Sequence, residues 1–193
     1  MNPWIGNSIF LASVIASIAI RVPHDRVSQE TKVAESRRGP LENLLLLLVI
    51  LGMVVLPVLS FTPALSFAAY PPDILRIALG TIAMVASLGI FYRSHRDLGR
   101  NWSASLELRE GHVLVTNGIY RSIRHPMYTS IFLLAIGQAL LLANWIAGPA
   151  LLVTFTLMFL SRLHSEERMM LDKFGAQYEE YRRRSKRLIP GIW

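Results

Sequence analysis

The sequence predicts an all-α integral membrane protein with about five transmembrane helices. Of its 193 residues, 52% are hydrophobic and only 17% are charged, whereas about a quarter of the residues of a soluble domain carry charge. Apolar segments long enough to cross or nearly cross a bilayer recur along the chain. They cover residues 4–20, 41–59, 74–92, 128–142 and 145–161. The last two are short and adjacent, so we expect a tight helical hairpin within a single domain of 193 residues.

The first apolar segment, residues 4–20, is expected to be a retained helix. A signal peptide would begin with a basic region and end at a small-residue cleavage site, and neither precedes Arg21. The chain has no cysteine. Disulfides, thiolate metal sites and cysteine nucleophiles are therefore excluded within it.

The basic residues are concentrated in three regions, 21–38, 93–124 and 162–187, and only Arg76 lies elsewhere. With five spans, these regions fall on one side of the membrane. The positive-inside rule then places the N-terminus outside, and the C-terminus and these polar regions in the cytoplasm. Attraction to anionic lipids is enough to explain the net charge of +7, so no nucleic-acid partner is expected.

Residues 95–128 are expected to be largely irregular. Alternating apolar residues predict an extended piece at residues 112–116, followed by a turn at Asn117 and Gly118. Pro126 is suited to the first turn of the next helix, where its missing N–H has no cost.

Two other polar regions are expected to be helical. Residues 21–40 mix charges of both signs, which favours a short amphipathic helix at the membrane interface. Near the C-terminus, the pattern predicts a charged helix over residues 162–174, a break at Gly175 and a second short helix.

The motif RHPMY, which runs from Arg124 to Tyr128, stands at the mouth of an apolar segment. It has an ordinary interpretation, because arginine, histidine and tyrosine are all common at a membrane boundary. It also has a functional one. A helix that begins at Pro126 presents backbone N–H groups and the positive end of its dipole, and Arg124 and His125 would add donors for an anion.

A second polar cluster follows the last apolar segment. Arg162 and Glu166 are four residues apart and share a helix face, with Glu167 beside them. Alone, they would be an ion pair at the membrane surface. Because RHPMY enters the predicted hairpin where residues 162–167 leave it, we expect the two clusters to meet and form a pocket. Within RHPMY, Arg124 is expected to mark only the boundary.

Familiar metal and nucleotide motifs are absent. The five histidines show no His-x-x-His or His-Glu-x-x-His spacing, so no metal site is expected. The sequence also has no Gly-x-Gly-x-x-Gly and no P-loop. A nucleotide-like cofactor would need a fold other than the Rossmann fold.

The run from Gly118 to Tyr128, followed about forty residues later by Glu166 and Glu167 and then by FGAQYEEYRRR, resembles the isoprenylcysteine carboxyl methyltransferase family. Membrane methyltransferases that act on phospholipid amines carry a similar pattern. The resemblance covers residues 95–193. It implies a membrane-embedded enzyme that uses S-adenosylmethionine, releases S-adenosylhomocysteine and has no Rossmann domain. Eukaryotic members have more spans, so this chain resembles a minimal core.

The resemblance also implies residue roles within a cofactor-binding region formed by residues 95–128 and 162–187. Arg162 matches the family's arginine that handles the substrate carboxylate. Glu167 and Ser105 are further candidates. The implied cofactor contacts are His112, Val113, Leu114, Val115, Tyr120, His125, Pro126, Met127, Tyr128 and Glu166.

The chemistry leaves alternatives open. A carboxylate acceptor is already ionised at pH 7 and needs no general base, only alignment, exclusion of water and an arginine such as Arg162 to hold it. An amine acceptor would need a base such as Glu167. The expected substrate is prenylated or lipid-like and enters from the bilayer. The alternatives are a phospholipid or small-molecule N-methyltransferase and a non-enzymatic scaffold that binds anionic lipid.

Overall fold

A computed structural model of the chain describes residues 2–29, 33–36, 39–101, 107–109, 111 and 113–192. The all-α class is confirmed. The helices are α1 (Trp4–Gln29), α2 (Pro40–Ser60), α3 (Ile74–Leu98), α4 (Pro126–Leu141), α5 (Ala147–Phe174) and α6 (Ala176–Arg184). A short antiparallel ribbon, which the sequence did not predict, pairs β1 (Val33–Ser36) with β2 (Glu107–Arg109).

Four helices, α1, α2, α3 and α5, are long and apolar enough to cross a membrane. The shorter apolar helix α4 has 16 residues, which at 1.5 Å per residue makes it about 24 Å long against about 30 Å of hydrocarbon. The structure therefore supports a membrane protein, while the count of five spans stays a prediction. The predicted hairpin is confirmed, because α4 and α5 are joined by only residues 142–146.

One expectation about helix ends is wrong. The described part of residues 21–40 contains no separate amphipathic helix. Instead α1 continues to Gln29, supported by an ion pair between Arg21 and Asp25 one turn apart, and a strand is formed by Val33–Ser36. The charged helix expected over residues 162–174 is present, as the continuation of α5. No glycine or proline interrupts the sequence between Ala150 and Phe174, so α5 continues to Phe174 and ends at Gly175.

Helix α2 contains a π-helical turn at Leu51–Val55. In this register the donor for the Gly52 carbonyl would be the backbone nitrogen of Pro57, which carries no hydrogen. Gln138 of α4 takes its place, donating from Nε2 to the Gly52 carbonyl at 2.9 Å and to the Ala147 carbonyl at 2.7 Å. This buried amide joins α2, α4 and α5 deep inside the bundle.

Helix α4 lies between α3 and α5, and small residues allow the close approach. A Cβ at Gly80 would lie 2.8 Å from Cγ of Leu141, and one at Gly137 would lie 3.0 Å from the side chain of Met84. Many apolar side chains on the outer faces, such as Ile82, are largely exposed. This is the surface expected of a protein whose solvent is a bilayer.

Helices α1, α3 and α5 end, and α2 and α4 begin, at the same end of the bundle, which we call the basic end. The chain there is tied together by its own C-terminal segment. The backbone N–H of Arg124 donates to the Lys186 carbonyl at 2.7 Å, and that of His125 donates to the Arg187 carbonyl at 3.0 Å. The segment before α4 is thereby fixed next to the end of the chain.

Candidate active site

A cavity of about 330 Å³ lies at the basic end of the bundle. Its walls come from α1 to α5, from the segment between α3 and α4, and from two tyrosines of α6. One part, which we call the apolar branch, extends between the helices. It is lined by Val14, Ile18, Val49, Met53, Leu134 and Phe155. We call the other part the polar mouth and define it by the lining residues Arg21, His95, Arg124, His125, Arg162 and Glu166.

Most of the residues that the sequence singled out line this one cavity. They are Val113, Leu114, Val115, Tyr120, His125, Met127, Tyr128, Arg162 and Glu166. Pro126 and Glu167 are buried beside it but are not part of its lining. His112 and Ser105 lie outside the described residues.

The expected meeting of the two polar clusters across the hairpin is confirmed. Nδ1 of His125 lies 3.7 Å from a carboxylate oxygen of Glu166, and Nε2 lies 3.6 Å from one of Glu167. The imidazole also stacks on Tyr128, with ring centroids 5.5 Å apart. His125 therefore connects the start of α4 to the far end of α5.

The interpretation of Arg124 as a boundary residue is wrong. Its buried guanidinium lies 3.2 Å from Glu167 and donates to the carbonyls of Arg182 and Ser185. On the other side of the same carboxylate, Arg187 approaches to 2.9 Å. Glu167 is thus held between two guanidinium groups. Sequence reasoning missed Arg187 and Ser185, because a basic tail gives no indication of which residues it will contact.

The donors that Arg124 was expected to add are in use. Its backbone N–H is bound by the C-terminal segment, and its side chain is engaged with Glu167 and with the carbonyls of Arg182 and Ser185, which leaves fewer donors for an anion than expected. Other polar atoms remain available. Among the described residues, the Tyr128 hydroxyl and the Oε2 atom of Glu166 are buried in the cavity wall without a hydrogen-bond partner. Buried polar atoms of this kind usually have a partner, so the cavity suits a polar ligand.

Arg162 lines the cavity between Met158 and Glu166 on the same face of α5, with 6% of its surface exposed. Its Nη1 atom lies 3.6 Å from Oε1 of Glu42, which is equally buried at the start of α2. Sequence reasoning missed Glu42. A signal was present, since one acidic residue at the edge of the apolar run LENLLLLLVI is an ionisable group at membrane depth.

The turn that carries Tyr120 is held from two sides. Oδ2 of Asp97 accepts a hydrogen bond from the Ile119 N–H at 2.8 Å. The Tyr181 hydroxyl donates to the Tyr120 carbonyl at 2.7 Å. Burial raises the pKa of both tyrosines, so each phenol remains a neutral donor. Gly118 opens the turn with φ +56°, a region that favours glycine.

The apolar wall at Val113 is fixed by Asn101, another residue that the sequence did not identify. Its Oδ1 atom accepts a hydrogen bond from the Val113 N–H at 2.9 Å. The described part of the expected extended piece, residues 113–116, has no regular secondary structure, and the strand lies earlier, at Glu107–Arg109. The expected irregular character of this region agrees with the structure, whereas the strand at Glu107–Arg109 was not predicted.

The fold and the site define a helical membrane protein with a charged cavity at one end of its bundle. The sequence model of the isoprenylcysteine carboxyl methyltransferase (ICMT) family matches residues 79–172. This match covers just under half of the chain, and it agrees with the family that the motifs resemble.

Curated proteins with the corresponding name are similar to part of this chain. The protein-S-isoprenylcysteine O-methyltransferase of Schizosaccharomyces pombe is 33% identical over 109 residues, which are 54% of this chain and 46% of that protein. The Tribolium castaneum protein of the same name is 37% identical over 92 residues, 48% of this chain and 33% of the relative. The Homo sapiens protein of the same name is 36% identical over 86 residues, which are 45% of this chain and 30% of that protein. These matches cover less than half the length of each relative.

A solved structure is also similar. It is described as the eukaryotic intramembrane Ras methyltransferase ICMT. The two folds superpose with a TM-score of 0.53 and 27% sequence identity over 76% of this chain and 52% of that one. This likeness extends beyond residues 79–172 and includes much of the helical bundle.

Proposed function

We propose that this protein is an S-adenosylmethionine-dependent methyltransferase that methylates the carboxylate of a lipidated, isoprenylcysteine-like substrate at the cytoplasmic face of a membrane. One observation carries the proposal. Buried Arg162 lines the cavity one helical turn after the apolar lining residue Met158 and one turn before Glu166. A molecule with an apolar tail and a terminal carboxylate would fit both parts at once. The names of the relatives support the same chemistry.

The acceptor end needs little from the protein beyond binding and shielding. A carboxylate is ionised at pH 7 and is itself the nucleophile. Arg162 can hold it through two N–H groups, and its burial keeps water away from the reacting oxygen. The tail would lie along Val49 and Met53 of α2 and Ile18 of α1, which suits entry from the bilayer.

The residues of the polar mouth fit the cofactor. When bound, S-adenosylmethionine supplies an electrophilic methyl group. Glu166, whose Oε2 atom has no hydrogen-bond partner among the described residues, can complement the cofactor's positive charge. The Tyr128 hydroxyl, likewise without a partner in the described part of the chain, can bind a polar edge. Val113 and Leu114 offer an apolar surface, and the cavity volume is in the range of small-molecule sites.

An amine acceptor is less well supported. It would need a base, and Glu167 was the candidate. Its carboxylate is held by Arg124 at 3.2 Å and by Arg187 at 2.9 Å. A carboxylate paired with two guanidinium groups is a poor proton acceptor.

The orientation follows from the charges. We propose that the basic end faces the cytoplasm, from which the cofactor must come. Arg182, Arg183, Arg184 and Lys186 are exposed on α6 and the residues after it. Such a cluster would attract anionic lipids of the inner leaflet and bring the cavity mouth to the membrane surface.

The test is transfer of a radiolabelled methyl group by the full chain in detergent. The acceptors are N-acetyl-S-farnesylcysteine and phosphatidylethanolamine. We expect label on the farnesylcysteine and its release as methanol by mild alkali, because the product is a carboxyl ester. An alkali-stable product on the amine would favour N-methylation instead. Absence of saturable cofactor binding would leave only the lipid-binding scaffold.

A further inference from the structure

Glu42 and Arg162 form a buried ion pair in the wall of the site. The two side chains come from different helices, and 5% of the Glu42 side chain and 7% of the Arg162 side chain are exposed. The atoms nearest to each other, Nη1 and Oε1, are 3.6 Å apart. This separation exceeds that of a good charged hydrogen bond, about 2.8 Å. The pair is therefore held electrostatically and not by a short hydrogen bond between these two atoms.

Glu42 lies on the same face of α2 as two residues of the apolar branch. Leu45, Val49 and Met53 follow it at helical spacing, so all four residues share one stripe of the helix. Val49 and Met53 line the cavity and Leu45 is in the core. Glu42 is in the first turn of α2, where the helix dipole favours a negative charge.

A substrate carboxylate bound at Arg162 would meet this internal carboxylate. Buried charges are costly unless they are paired, and Glu42 supplies that pairing when no substrate is present. Two carboxylates within a few ångströms of one guanidinium repel each other. Glu166, one helical turn from Arg162 and also in the cavity wall, adds a further negative charge.

We propose that Glu42 is an internal carboxylate that occupies Arg162 until a substrate carboxylate displaces it. Methylation removes the acceptor's charge, so the ester product no longer competes and Glu42 pairs with Arg162 again. The site thus distinguishes the charged acceptor from its neutral ester and favours release of the product. This inference rests on the role proposed above for Arg162.

The test measures binding without the cofactor, so it does not depend on turnover. The ligands are N-acetyl-S-farnesylcysteine and its methyl ester, titrated into the full chain in detergent. In Glu42→Gln we expect the carboxylate to bind about tenfold tighter, well within the Coulomb energy of like charges at this distance. The affinity for the ester, which has no charge to repel, should change less than twofold.

Thermal unfolding provides a second readout. Glu42→Gln leaves a buried guanidinium without this partner and should lower the Tm of the empty protein. The carboxylate ligand should restore the Tm more strongly in the variant than in the wild type, whereas the ester should not. Glu42→Asp keeps the charge on a shorter side chain and should change the carboxylate affinity in the same direction, but less.

The matched control is Glu180→Gln. Glu180 pairs with Arg184 at 3.8 Å, a similar distance, but both side chains are exposed. The Glu180→Gln substitution should leave the affinity for both ligands unchanged. Weaker or unchanged binding of the carboxylate in Glu42→Gln would overturn the proposal, and so would equal changes for acid and ester. If the wild type binds the acid but transfers no methyl group, the proposed function fails. The competition between Glu42 and the ligand carboxylate for Arg162 can still be measured in that case.

Discussion

The Arg187 guanidinium lies 2.9 Å from the Oε2 atom of Glu167, and this contact joins the end of the chain to the last long helix. Arg124 holds the other oxygen of the same carboxylate. One buried side chain of α5 therefore connects the C-terminal segment, the start of α4 and the hairpin. The hydrogen bond to Glu167 also raises the pKa of Arg187.

Glu167→Gln should destabilise the protein. The amide keeps the shape but loses the charge that holds Arg124 and Arg187, which leaves buried positive charge without its partner. Breaking a buried pair in this way costs about 3 to 5 kcal/mol. Unfolding in mixed detergent micelles would measure the change. Glu179→Gln, at an exposed position of α6, should change the free energy of unfolding by less than about 0.5 kcal/mol, and an equally small effect of Glu167→Gln would contradict the prediction.

Gly118→Ala should disturb the Tyr120 turn. A Cβ at this position would overlap Oδ2 of Asp97, and φ is +56°. Both strain and the loss of the Asp97 contact to Ile119 are expected, at a cost of about 1 to 3 kcal/mol. Gly175→Ala is the control, since its φ is also positive, at +51°, but nothing lies within 4 Å of the added Cβ. The clash predicts a larger loss of thermal stability and of cofactor affinity for Gly118→Ala, and equal effects would refute it.

Gln138→Leu should weaken the packing of α2. The substitution keeps a similar volume but removes donors from the carbonyls of Gly52 and Ala147. The Gly52 carbonyl, which has no backbone donor in this register, would be left unsatisfied at a cost of about 1 to 3 kcal/mol. The free energy of unfolding in detergent would report the loss. Gln177→Leu, an exposed change on α6, serves as the comparison, and a stable Gln138→Leu variant would mean that α2 relaxes to another register.

Arg162→Ala and Glu166→Ala should affect different steps. We expect Arg162→Ala to abolish turnover and to leave cofactor affinity within a few fold, because it removes the group that holds the acceptor. Glu166→Ala should weaken cofactor binding itself. Isothermal titration with the cofactor, together with methyl transfer, separates the two. Equal loss of cofactor affinity in both variants would reverse or merge these assignments.

Much of the fold could be predicted because its causes are local. Hydropathy over about twenty residues marks a membrane helix wherever it packs, so all five apolar segments are helices in the structure. The start of α4 at Pro126 could be predicted as well, because proline by itself favours the first turn of a helix. An error arose at the end of α1, which extends beyond its apolar part into polar sequence.

The site was predictable to the extent that one hairpin determines it. RHPMY and Glu166 lie at the two ends of α4 and α5, so any tight hairpin brings His125 close to Glu166. The sequence alone therefore determined the apolar helices, the family motif and the end of the bundle that carries the cavity. Composition and short spacings are sufficient for each of these.

Only the tertiary structure decided which charges pair. Glu42 meets Arg162 from another helix, Arg187 folds back onto Glu167, and Arg124 is buried between α5 and the C-terminal segment. Contacts between residues far apart in sequence depend on how whole helices pack and where the chain returns, and no local pattern encodes them. A buried ion pair forms where packing excludes water and leaves opposite charges within reach of each other.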